Sequence, residues 1–527
     1  MNKIESIMTY PLRLFCILLS AVLLSLGIPN EVFKHGSALL TLIALVPLFT
    51  ALLRTRKWSE AGFSGGLMML VVHLLSSFWL ANFKEFAIFT LGGSGLVTCI
   101  LGIPVGWGLK KAASLKPAYR PAVFAAVWTV WEFAKSSGFL AYPWGTLYMG
   151  ARNLYLPSQI ADITGAWGMS FLCAYVSACL AELTLALPAK RFGHVARNSA
   201  FAVVLFAAAT LYGIVRLETL PESIDTADVV LVQQNADSWE SGGVRNALIA
   251  SQSLTRQGIA QSRDRPDLVV WSESVLAYPY LPNKDWYRRN PAEDPFVPFL
   301  KEIGIPLLVG SPVLVDEVRE DYSNSVICLA PDGRQTDWYA KMQLVPFAEY
   351  MPFTEYEFVR KFFDAIVGFS SGWKPGDRLV ALPFTLKSGR EIRFAAPICF
   401  EDAFAFHVSA LVGEGADLII NLTNDSWSKT ESAEYQHFSI AWWRAVELRR
   451  PLIRSTNAGY TVVVEPSGRI AADLPLFTPA SLPVRIAIYP RTPTFYGRFG
   501  DWLPALLGAV LLSLFLITNP REHPELL

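Results

Sequence analysis

The sequence predicts an α-helical membrane bundle of eight spans joined to one extracytoplasmic α/β domain. The 527 residues are 52% hydrophobic and 17% charged, whereas a soluble domain carries about 25% charged residues. The apolar residues gather in eight long runs, seven in the first part of the chain and one near its end. Between the seventh and eighth runs, short β-branched segments alternate with helical ones, which is typical of a layered α/β domain.

Each apolar run is close to the ~20 residues that a helix needs to cross ~30 Å of hydrocarbon. The first run follows Lys3 and Arg13 as a signal peptide would, but no A-x-A cleavage site comes after it, so we expect a retained helix. The runs cover residues 12–28, 37–53, 61–81, 88–109, 121–139, 166–187, 198–216 and 501–518.

The loops that hold Lys and Arg predict the orientation, because positive charge stays on the cytoplasmic side of a membrane. Basic residues concentrate after the second, fourth and sixth spans, and the N-terminus is therefore expected to be cytoplasmic. We predict seven transmembrane helices in residues 1–218, an extracytoplasmic polar domain in 219–495, and an eighth helix with a cytoplasmic tail in 496–527. The basic residues that indicate this are Arg54, Arg56, Lys57, Lys110, Lys111, Lys116, Arg120, Lys190, Arg191 and Arg197.

The polar segment has the pattern of a sheet protein with covering helices. Several of its short runs are almost uniformly apolar, as expected for strands that are covered on both faces. Helical stretches are expected at 243–262 and 434–449. Strands are expected at 228–235, 267–273, 305–310, 324–329, 394–399, 416–421 and 451–456.

Composition and spacing exclude several classes of function. Lys and Arg number 45, as do Asp and Glu, so no net field attracts nucleic acid. The chain has no C-x-x-C pair, no H-E-x-x-H, no Walker A loop and no G-x-G-x-x-G after a strand, so we expect neither a metal nor a nucleotide cofactor. Six cysteines are too few for a disulfide scaffold, although a bridge between Cys328 and Cys399 stays open.

Two polar residues end apolar strands, where an α/β sheet usually holds its site, and a third lies in an aromatic-rich stretch. Cys399 ends one predicted strand, Glu273 ends another, and Lys341 is the only cation in an aromatic-rich stretch. Each residue taken alone has an ordinary interpretation. The cysteine fits an inert core position, the glutamate fits an exposed strand end, and the lysine fits a surface position with a buried stem.

Together these residues form a known pattern. W-x-E at Glu273, K-x-x-L-V-P-F-x-E-Y-x-P from Lys341 and C-x-E from Cys399, in that order, resemble the Glu-Lys-Cys triad of the nitrilase, or carbon-nitrogen hydrolase, superfamily. That resemblance implies an α-β-β-α sandwich. Together with the eight predicted spans, the triad pattern resembles one family of this superfamily, the apolipoprotein N-acyltransferases. Later residues resemble that family as well, namely Asn424, Asp425, Trp427, Gln436, His437, Arg444, Glu447, Arg450, Thr456, Asn457 and Gly459.

The resemblance implies catalytic roles for the triad. Cys399 would be the nucleophile, Glu273 the general base and Lys341 the transition-state stabiliser. A free thiol is only a few per cent thiolate at neutral pH, which explains why a base and a cation are needed. Glu349 and Glu401 would be supporting carboxylates.

Aromatic residues near the triad are candidates for substrate binding. Trp239, Phe400 and Trp427 would line the acyl or acceptor pocket, or else act as interfacial anchors. Phe400 stands where the family usually has tyrosine. His437 is expected to be structural. In the fifth span, Glu132 and Lys135 lie three residues apart and are expected to neutralise each other with their heads near the interface.

The implied activity is acyl transfer from a phospholipid, through a cysteine thioester, to the α-amine of diacylglyceryl-cysteine on an apolipoprotein. The implied partners are phospholipid, apolipoprotein and membrane lipid. The implied location is the bacterial inner membrane, with the catalytic domain in the periplasm. The alternatives are a membrane-anchored amidase that passes its acyl group to water, a transporter with an accessory domain, and an inactive binding domain.

Overall fold

The computed structural model describes residues 8–138, 140–190, 192–236, 242–351, 353–354, 356–367 and 372–517. The predicted binding residue Trp239 lies outside these ranges. The chain divides into two compact units. The first comprises Met1–Thr219, Thr430–Trp443 and Arg498–Leu527, and the second comprises Leu220–Lys429 and Arg444–Gly497. This division groups packed residues, and the predicted domain boundaries stay a prediction.

Eighteen α-helices occur in the described residues, and short 3₁₀ segments lie at Phe78–Phe86, Pro157–Ile160, Cys399–Ala403 and Ser426–Ser428. The helices are α1 (Tyr10–Gly27), α2 (Ala38–Ile43), α3 (Val46–Leu53), α4 (Trp58–Ser76), α5 (Ser94–Ala113), α6 (Arg120–Lys135), α7 (Leu147–Ala151), α8 (Ala161–Thr164), α9 (Trp167–Ala189), α10 (Gly193–Glu218), α11 (Gly243–Gln261), α12 (Lys284–Tyr287), α13 (Phe296–Ile303), α14 (Glu357–Val367), α15 (Ala405–Gly413), α16 (Glu431–Leu448), α17 (Phe495–Phe499) and α18 (Trp502–Ile517).

The first unit is helical, and among its described residues five helices are long and apolar enough to cross a membrane. Within Gly193–Glu218 only 17% of the apolar window is buried inside the protein, so most of that surface is left to an apolar surrounding such as lipid. The predicted second span forms the shorter helices α2 and α3, and α6 and α18 are 16 residues each. The five long segments are Tyr10–Gly27, Trp58–Ser76, Thr90–Ala113, Trp167–Pro188 and Gly193–Glu218.

Helices α4 and α5 pack so closely that their contact requires glycine. A Cβ atom on Gly106 would collide with the carbonyl oxygen of Ala61, and one on Gly102 would lie 2.7 Å from the carbonyl oxygen of Gly65. Small residues that let two backbones approach in this way are typical of helix pairs in membranes.

The structure corrects the prediction for Glu132 and Lys135. Glu132 is buried and accepts hydrogen bonds from Trp128 Nε1 at 2.8 Å, Leu147 N at 2.7 Å and Ser170 Oγ at 2.5 Å. Lys135 Nζ donates to the carbonyl oxygen of Trp144. Each head is therefore held by polar partners of the bundle, with Glu132 buried and Lys135 half-buried. His437 is buried, as expected of a structural residue.

The second unit contains two six-stranded mixed sheets, in the orders β12-β1-β2-β3-β4-β5 and β11-β10-β9-β8-β7-β6. In each sheet the three middle strands that run parallel are flanked by antiparallel ones. The strands are β1 (Asp225–Gln233), β2 (Leu268–Val270), β3 (Leu307–Asp316), β4 (Asp321–Leu329), β5 (Gln335–Ala340), β6 (Leu382–Thr385), β7 (Glu391–Ala395), β8 (Leu418–Thr423), β9 (Leu452–Thr456), β10 (Val462–Val464), β11 (Ile470–Asp473) and β12 (Ala480–Ile488).

The two sheets pack against each other near β1 and β9. Ser455 Oγ donates to the carbonyl oxygen of Val270 at 3.2 Å, and the Asn235 amide donates to the carbonyl oxygen of Asn457 at 2.7 Å. Helix α11 covers the first sheet through contacts with β1 and β12, and α15 contacts β7 of the second. The layered α/β domain expected from the sequence is thus confirmed.

Two of the predicted strands are too long. Glu273 and Cys399 were each expected to end a strand, but β2 ends at Val270 and β7 ends at Ala395. The backbone turns before both residues reach the sheet edge, and Ser274 and Cys399 have positive φ angles of 57° and 49°. The catalytic candidates therefore lie on turns that follow the strands.

Candidate active site

Cys399 begins the 3₁₀ segment Cys399–Ala403 with a φ of 49°, a conformation that costs free energy for a residue other than glycine. Asn421 on β8 fixes this turn. Its Nδ2 atom donates to the carbonyl oxygens of Pro397 and Cys399, both at 3.1 Å. The neighbouring strand thus holds the backbone of the nucleophile candidate from both sides.

Glu273 is buried and lies three residues beyond Val270, the last residue of β2. Its Oε1 accepts a hydrogen bond from Asn324 Nδ2 at 2.7 Å, and its Oε2 accepts one from the Asn424 amide at 2.9 Å. These donors orient the carboxylate, which would be costly to bury without partners.

Lys341 follows β5 and is 1% exposed. Its Nζ lies 2.8 Å from Glu349 Oε1 and 3.7 Å from Glu273 Oε1. The Lys341 amide also donates to the carbonyl oxygen of Asn324 at 2.8 Å, so β4 positions both the lysine and the base candidate. A buried ammonium between two carboxylates is fixed in place and remains charged.

Glu349 holds the loop that carries the lysine. Its Oε1 accepts from Lys341 Nζ and from Asn324 Nδ2 at 3.1 Å, and its Oε2 accepts from the Val345 amide at 2.8 Å. The carboxylate therefore closes the turn after Lys341 while it neutralises the ammonium.

Glu401 connects the lysine loop to the cysteine loop. It accepts from the Met342 and Gln343 amides at 2.7 and 3.0 Å on one side, and from the Ile398 amide at 2.8 Å on the other. The Tyr339 hydroxyl donates to Oε1 at 2.9 Å, and His407 Nε2 lies 3.1 Å from the same atom. Glu401 is thus a buried carboxylate that holds the two loops together.

The pKa values of the group reflect burial and mutual charge. Burial raises the pKa of Cys399, and the carboxylates of Glu273 and Asp425 raise it further, while Lys341 lowers it. Burial also raises the pKa of Glu273, against the effect of Lys341. Burial alone would lower the pKa of Lys341, but Glu349 and Glu273 raise it above its ordinary value. These effects favour the thiol form of Cys399 and the ammonium form of Lys341.

The pKa of Glu401 moves in the other direction. Burial would raise it, but His407 and the backbone amide donors lower it below its ordinary value. Glu401 consequently stays ionised, as a structural anchor requires, whereas Glu273 is poised to exchange a proton.

The aromatic residues that were predicted to bind substrate differ in burial and position. Phe400 is buried, with its ring edge-on to Phe404 at a centroid distance of 4.7 Å. Trp427 lies half-buried in the 3₁₀ segment Ser426–Ser428, directly after Asp425. Trp239 lies outside the described residues.

Five residues of this site were not assigned a role from the sequence. Asn324, Tyr339, His407, Asn421 and Arg454 each bind a catalytic candidate or its loop through side-chain contacts. The available signal was a polar residue inside or beside an apolar strand, as in Asn324 of β4 and Asn421 of β8. Cys328 and Cys399 are both free thiols, so the bridge that the sequence left open is not formed.

Chemically, the site can form and discharge a thioester. A half-buried thiol lies near a carboxylate that can take its proton, and a fixed ammonium can stabilise negative charge on a carbonyl oxygen. This combination suits acyl transfer through a covalent intermediate.

Two family models match the chain. The apolipoprotein N-acyltransferase N-terminal domain matches residues 20–179, and the carbon-nitrogen hydrolase model matches residues 229–487. The second match contains the whole cluster built from Glu273, Lys341, Glu349, Cys399 and Glu401.

Curated relatives match over nearly the full length. The chain is 44% identical to apolipoprotein N-acyltransferase 2 of Treponema denticola, over 96% of this chain and 97% of that protein. It is 41% identical to apolipoprotein N-acyltransferase 2 of Treponema pallidum, over 96% and 95%. It is 31% identical to the apolipoprotein N-acyltransferase of Borreliella burgdorferi, over 97% and 96%.

Proposed function

The chain belongs to the apolipoprotein N-acyltransferase family, and we propose on this basis that it carries out the last step of lipoprotein maturation. It transfers an acyl chain from a phospholipid, through a thioester on Cys399, to the α-amine of diacylglyceryl-cysteine at the N-terminus of an apolipoprotein. One observation carries the proposal: a half-buried thiol, a buried carboxylate and a buried ammonium occur together in a chain that resembles named N-acyltransferases over 96% of its length.

The first half-reaction loads the enzyme. Glu273 takes the proton of the Cys399 thiol, and the sulfur attacks the ester carbonyl of the phospholipid. Lys341 and a backbone N–H near Cys399 stabilise the negative charge on the carbonyl oxygen, and one such donor is worth about 3–4 kcal/mol of barrier. The ester C–O bond then breaks, and the proton on Glu273 passes to the alcohol of the departing lysophospholipid.

The second half-reaction transfers the acyl group from the enzyme to the acceptor. The α-amine of the acceptor attacks the thioester carbonyl, a C–N bond forms and the C–S bond breaks. The sulfur leaves as thiolate and regains a proton, which restores the resting thiol. Glu349 holds Lys341 charged through both steps, and Glu401 keeps the lysine loop and the cysteine loop together.

Three aromatic residues are proposed to bind substrate. Trp239, Phe400 and Trp427 would provide apolar surface for acyl chains near the thioester. Phe400 follows Cys399 directly and Trp427 lies two residues after Asp425, which supports a position near the reacting atoms for both. Apolar surface also keeps water from the thioester.

The finer membrane arrangement is part of the same proposal. Eight spans, with both termini in the cytoplasm and residues 219–495 in the periplasm, follow from the distribution of Lys and Arg. Location in the bacterial inner membrane fits a reaction whose phospholipid donor and lipid-linked acceptor both remain in a bilayer.

Cysteine labelling tests this topology. In a chain whose six cysteines are replaced by alanine, Asp316→Cys should react with a membrane-impermeant maleimide added to intact spheroplasts. The matched variant Lys57→Cys should react only after the membrane is opened, because its loop is expected to be cytoplasmic. Labelling of Asp316→Cys from the cytoplasmic side alone would show that the spans have been miscounted.

Kinetics separate the transferase from a hydrolase. With phospholipid alone, the acyl-enzyme should accumulate, because aromatic residues exclude water from the thioester. It should discharge quickly only when a lipopeptide with a free α-amine is added, and steady-state double-reciprocal plots should be parallel lines. Fast release of fatty acid without acceptor, at a rate that lipopeptide does not change, would support the amidase and contradict the transferase.

A further inference from the structure

A second carboxylate borders the nucleophile, and the mechanism above does not use it. Asp425 Oδ1 lies 3.8 Å from Cys399 Sγ, at the distance of a hydrogen bond from a thiol. The residue before it, Asn424, donates its amide to Glu273. The chain after β8 therefore brings two carboxylates to one sulfur atom.

Asp425 is fixed on its other side by a buried arginine. Arg454 on β9 is 1% exposed, and its Nη2 lies 3.6 Å from Asp425 Oδ2. Its Nη1 lies 2.6 Å from Asp402 Oδ2, so the closer partner of the guanidinium is Asp402. The carboxylate of Asp425 is held in position while its negative charge still acts on the thiol, whose pKa it raises.

The charges around Cys399 disfavour a thiolate in the resting enzyme, and they favour the binding of a cation. Two of the charged neighbours of Cys399 are carboxylates that disfavour negative charge on the sulfur, and one is an ammonium that favours it. The proposed reaction brings one cation to this place, namely the protonated α-amine of the acceptor. The α-amine of the acceptor has an ordinary pKa of about 8, so it arrives mostly as ammonium near neutral pH.

A buried hydroxyl provides a further acceptor. Thr423, the last residue of β8, is fully buried, and its hydroxyl hydrogen-bonds with the Cys399 thiol. It lies close enough to Cys399 to lower the pKa of the thiol. An N–H donor that entered between Thr423 and Asp425 could also donate to the oxygen of this hydroxyl.

We propose that Asp425 binds the α-ammonium of the acceptor beside the thioester, and this inference rests on the proposed function. In the resting enzyme the Cys399 S–H lies against Asp425 Oδ1. Once the sulfur is acylated it has no hydrogen, and an ammonium N–H takes the place of the thiol as donor to that oxygen. The loaded enzyme is therefore the form that favours the acceptor.

The transfer step balances with this role. One proton of the bound ammonium passes to Glu273, which leaves a neutral amine at Asp425. The amine nitrogen attacks the thioester carbonyl, so the C–N bond forms and the C–S bond breaks. A second proton moves from nitrogen to the departing sulfur. The products are the amide, the Cys399 thiol and one proton that Glu273 releases to solvent.

The test uses the same acyl-enzyme and compares an acceptor amine that arrives as a cation with one that arrives uncharged. Wild type and Asp425→Asn are loaded with phospholipid and then mixed with a synthetic diacylglyceryl-cysteine lipopeptide or with hydroxylamine, which is uncharged at neutral pH. We expect the second-order discharge by lipopeptide to fall about 30-fold in the variant, mainly through a higher KM, while hydroxylamine discharge stays within about twofold. Asp425→Glu, which keeps the charge, should recover part of the loss.

Asp332→Asn is the matched control, since it removes the same charge from an exposed turn and should discharge like wild type. Equal losses with both nucleophiles in Asp425→Asn, or no loss with either, would overturn the inference. Failure of the wild type to form an acyl-enzyme would instead contradict the proposed function.

A measurement on the wild type covers the case in which Asp425→Asn does not fold. An N,N-dimethyl lipopeptide keeps a positive charge and one N–H, whereas an N-acetyl lipopeptide is neutral. As inhibitors of discharge, the dimethyl form should have an inhibition constant at least about 10-fold lower. Equal inhibition constants would overturn the role of Asp425.

Discussion

Replacing Cys399 with alanine should abolish the acyl-enzyme and lower the transfer rate by at least about four orders of magnitude, because the covalent route loses its nucleophile. Alanine tolerates the positive φ of this position no worse than cysteine does, so the substitution removes the sulfur without a new backbone preference. Intact-protein mass spectrometry after incubation with phospholipid should show one added acyl group on wild type and none on Cys399→Ala.

Cys328→Ala is the control for this experiment. Cys328 is also a free thiol of the second unit, but it lies within β4 and burial raises its pKa. Its removal should leave the acyl adduct and the transfer rate within about twofold of wild type. An undiminished adduct in Cys399→Ala would assign the thioester to another residue and remove the central claim.

The residues of the cluster were predictable from the sequence because they carry charge or a thiol beside apolar strands. Glu273, Lys341 and Cys399 each interrupt an apolar or aromatic stretch, and a buried charge there needs a purpose. Glu349 and Glu401 were found only through the resemblance. The structure then gives both the same kind of role, since each carboxylate accepts backbone amides and closes a loop.

The partners of these residues were not predictable, because the contacts join positions far apart in the chain. Asn324 binds Glu273 across 51 positions, and Arg454 binds Asp402 across 52. An asparagine in a strand looks the same in sequence whether it faces solvent or a buried carboxylate. Only the pairing of β4 with its neighbours decides which applies.

Other features of the fold were also not predicted from the sequence. The strands β6 and β10 have 4 and 3 residues, too short for a pattern with a period of two to stand out. In the fifth span, Glu132 appeared to need an interface, because a sequence does not show that Trp128, Leu147 and Ser170 supply donors inside the bundle. Strand length decided the first case, and long-range polar contacts decided the second.

Glu273→Gln is expected to have the second largest effect, a loss of at least about 100-fold in the rate of acyl-enzyme formation, because the thiol keeps its proton without a base. Glutamine has nearly the same shape, but its amide must meet either the Asn424 N–H or the Asn324 and Lys341 donors, so one donor loses its acceptor. Rapid-quench measurement of the acyl adduct gives the rate. Glu293→Gln, which changes an exposed carboxylate, is the matched control.

The pH dependence of the same rate distinguishes a base from a purely electrostatic residue. Burial raises the pKa of Glu273, so on lowering the pH the carboxylate binds a proton earlier than an ordinary glutamate does and can no longer accept one from Cys399. The acylation rate of wild type should therefore fall with decreasing pH at an apparent pKa above about 4.3. It should remain level at higher pH while Lys341, whose pKa is raised, stays charged. In Glu273→Gln this acid limb should disappear; an acid limb that persists unchanged in the variant would mean that another group takes the thiol proton.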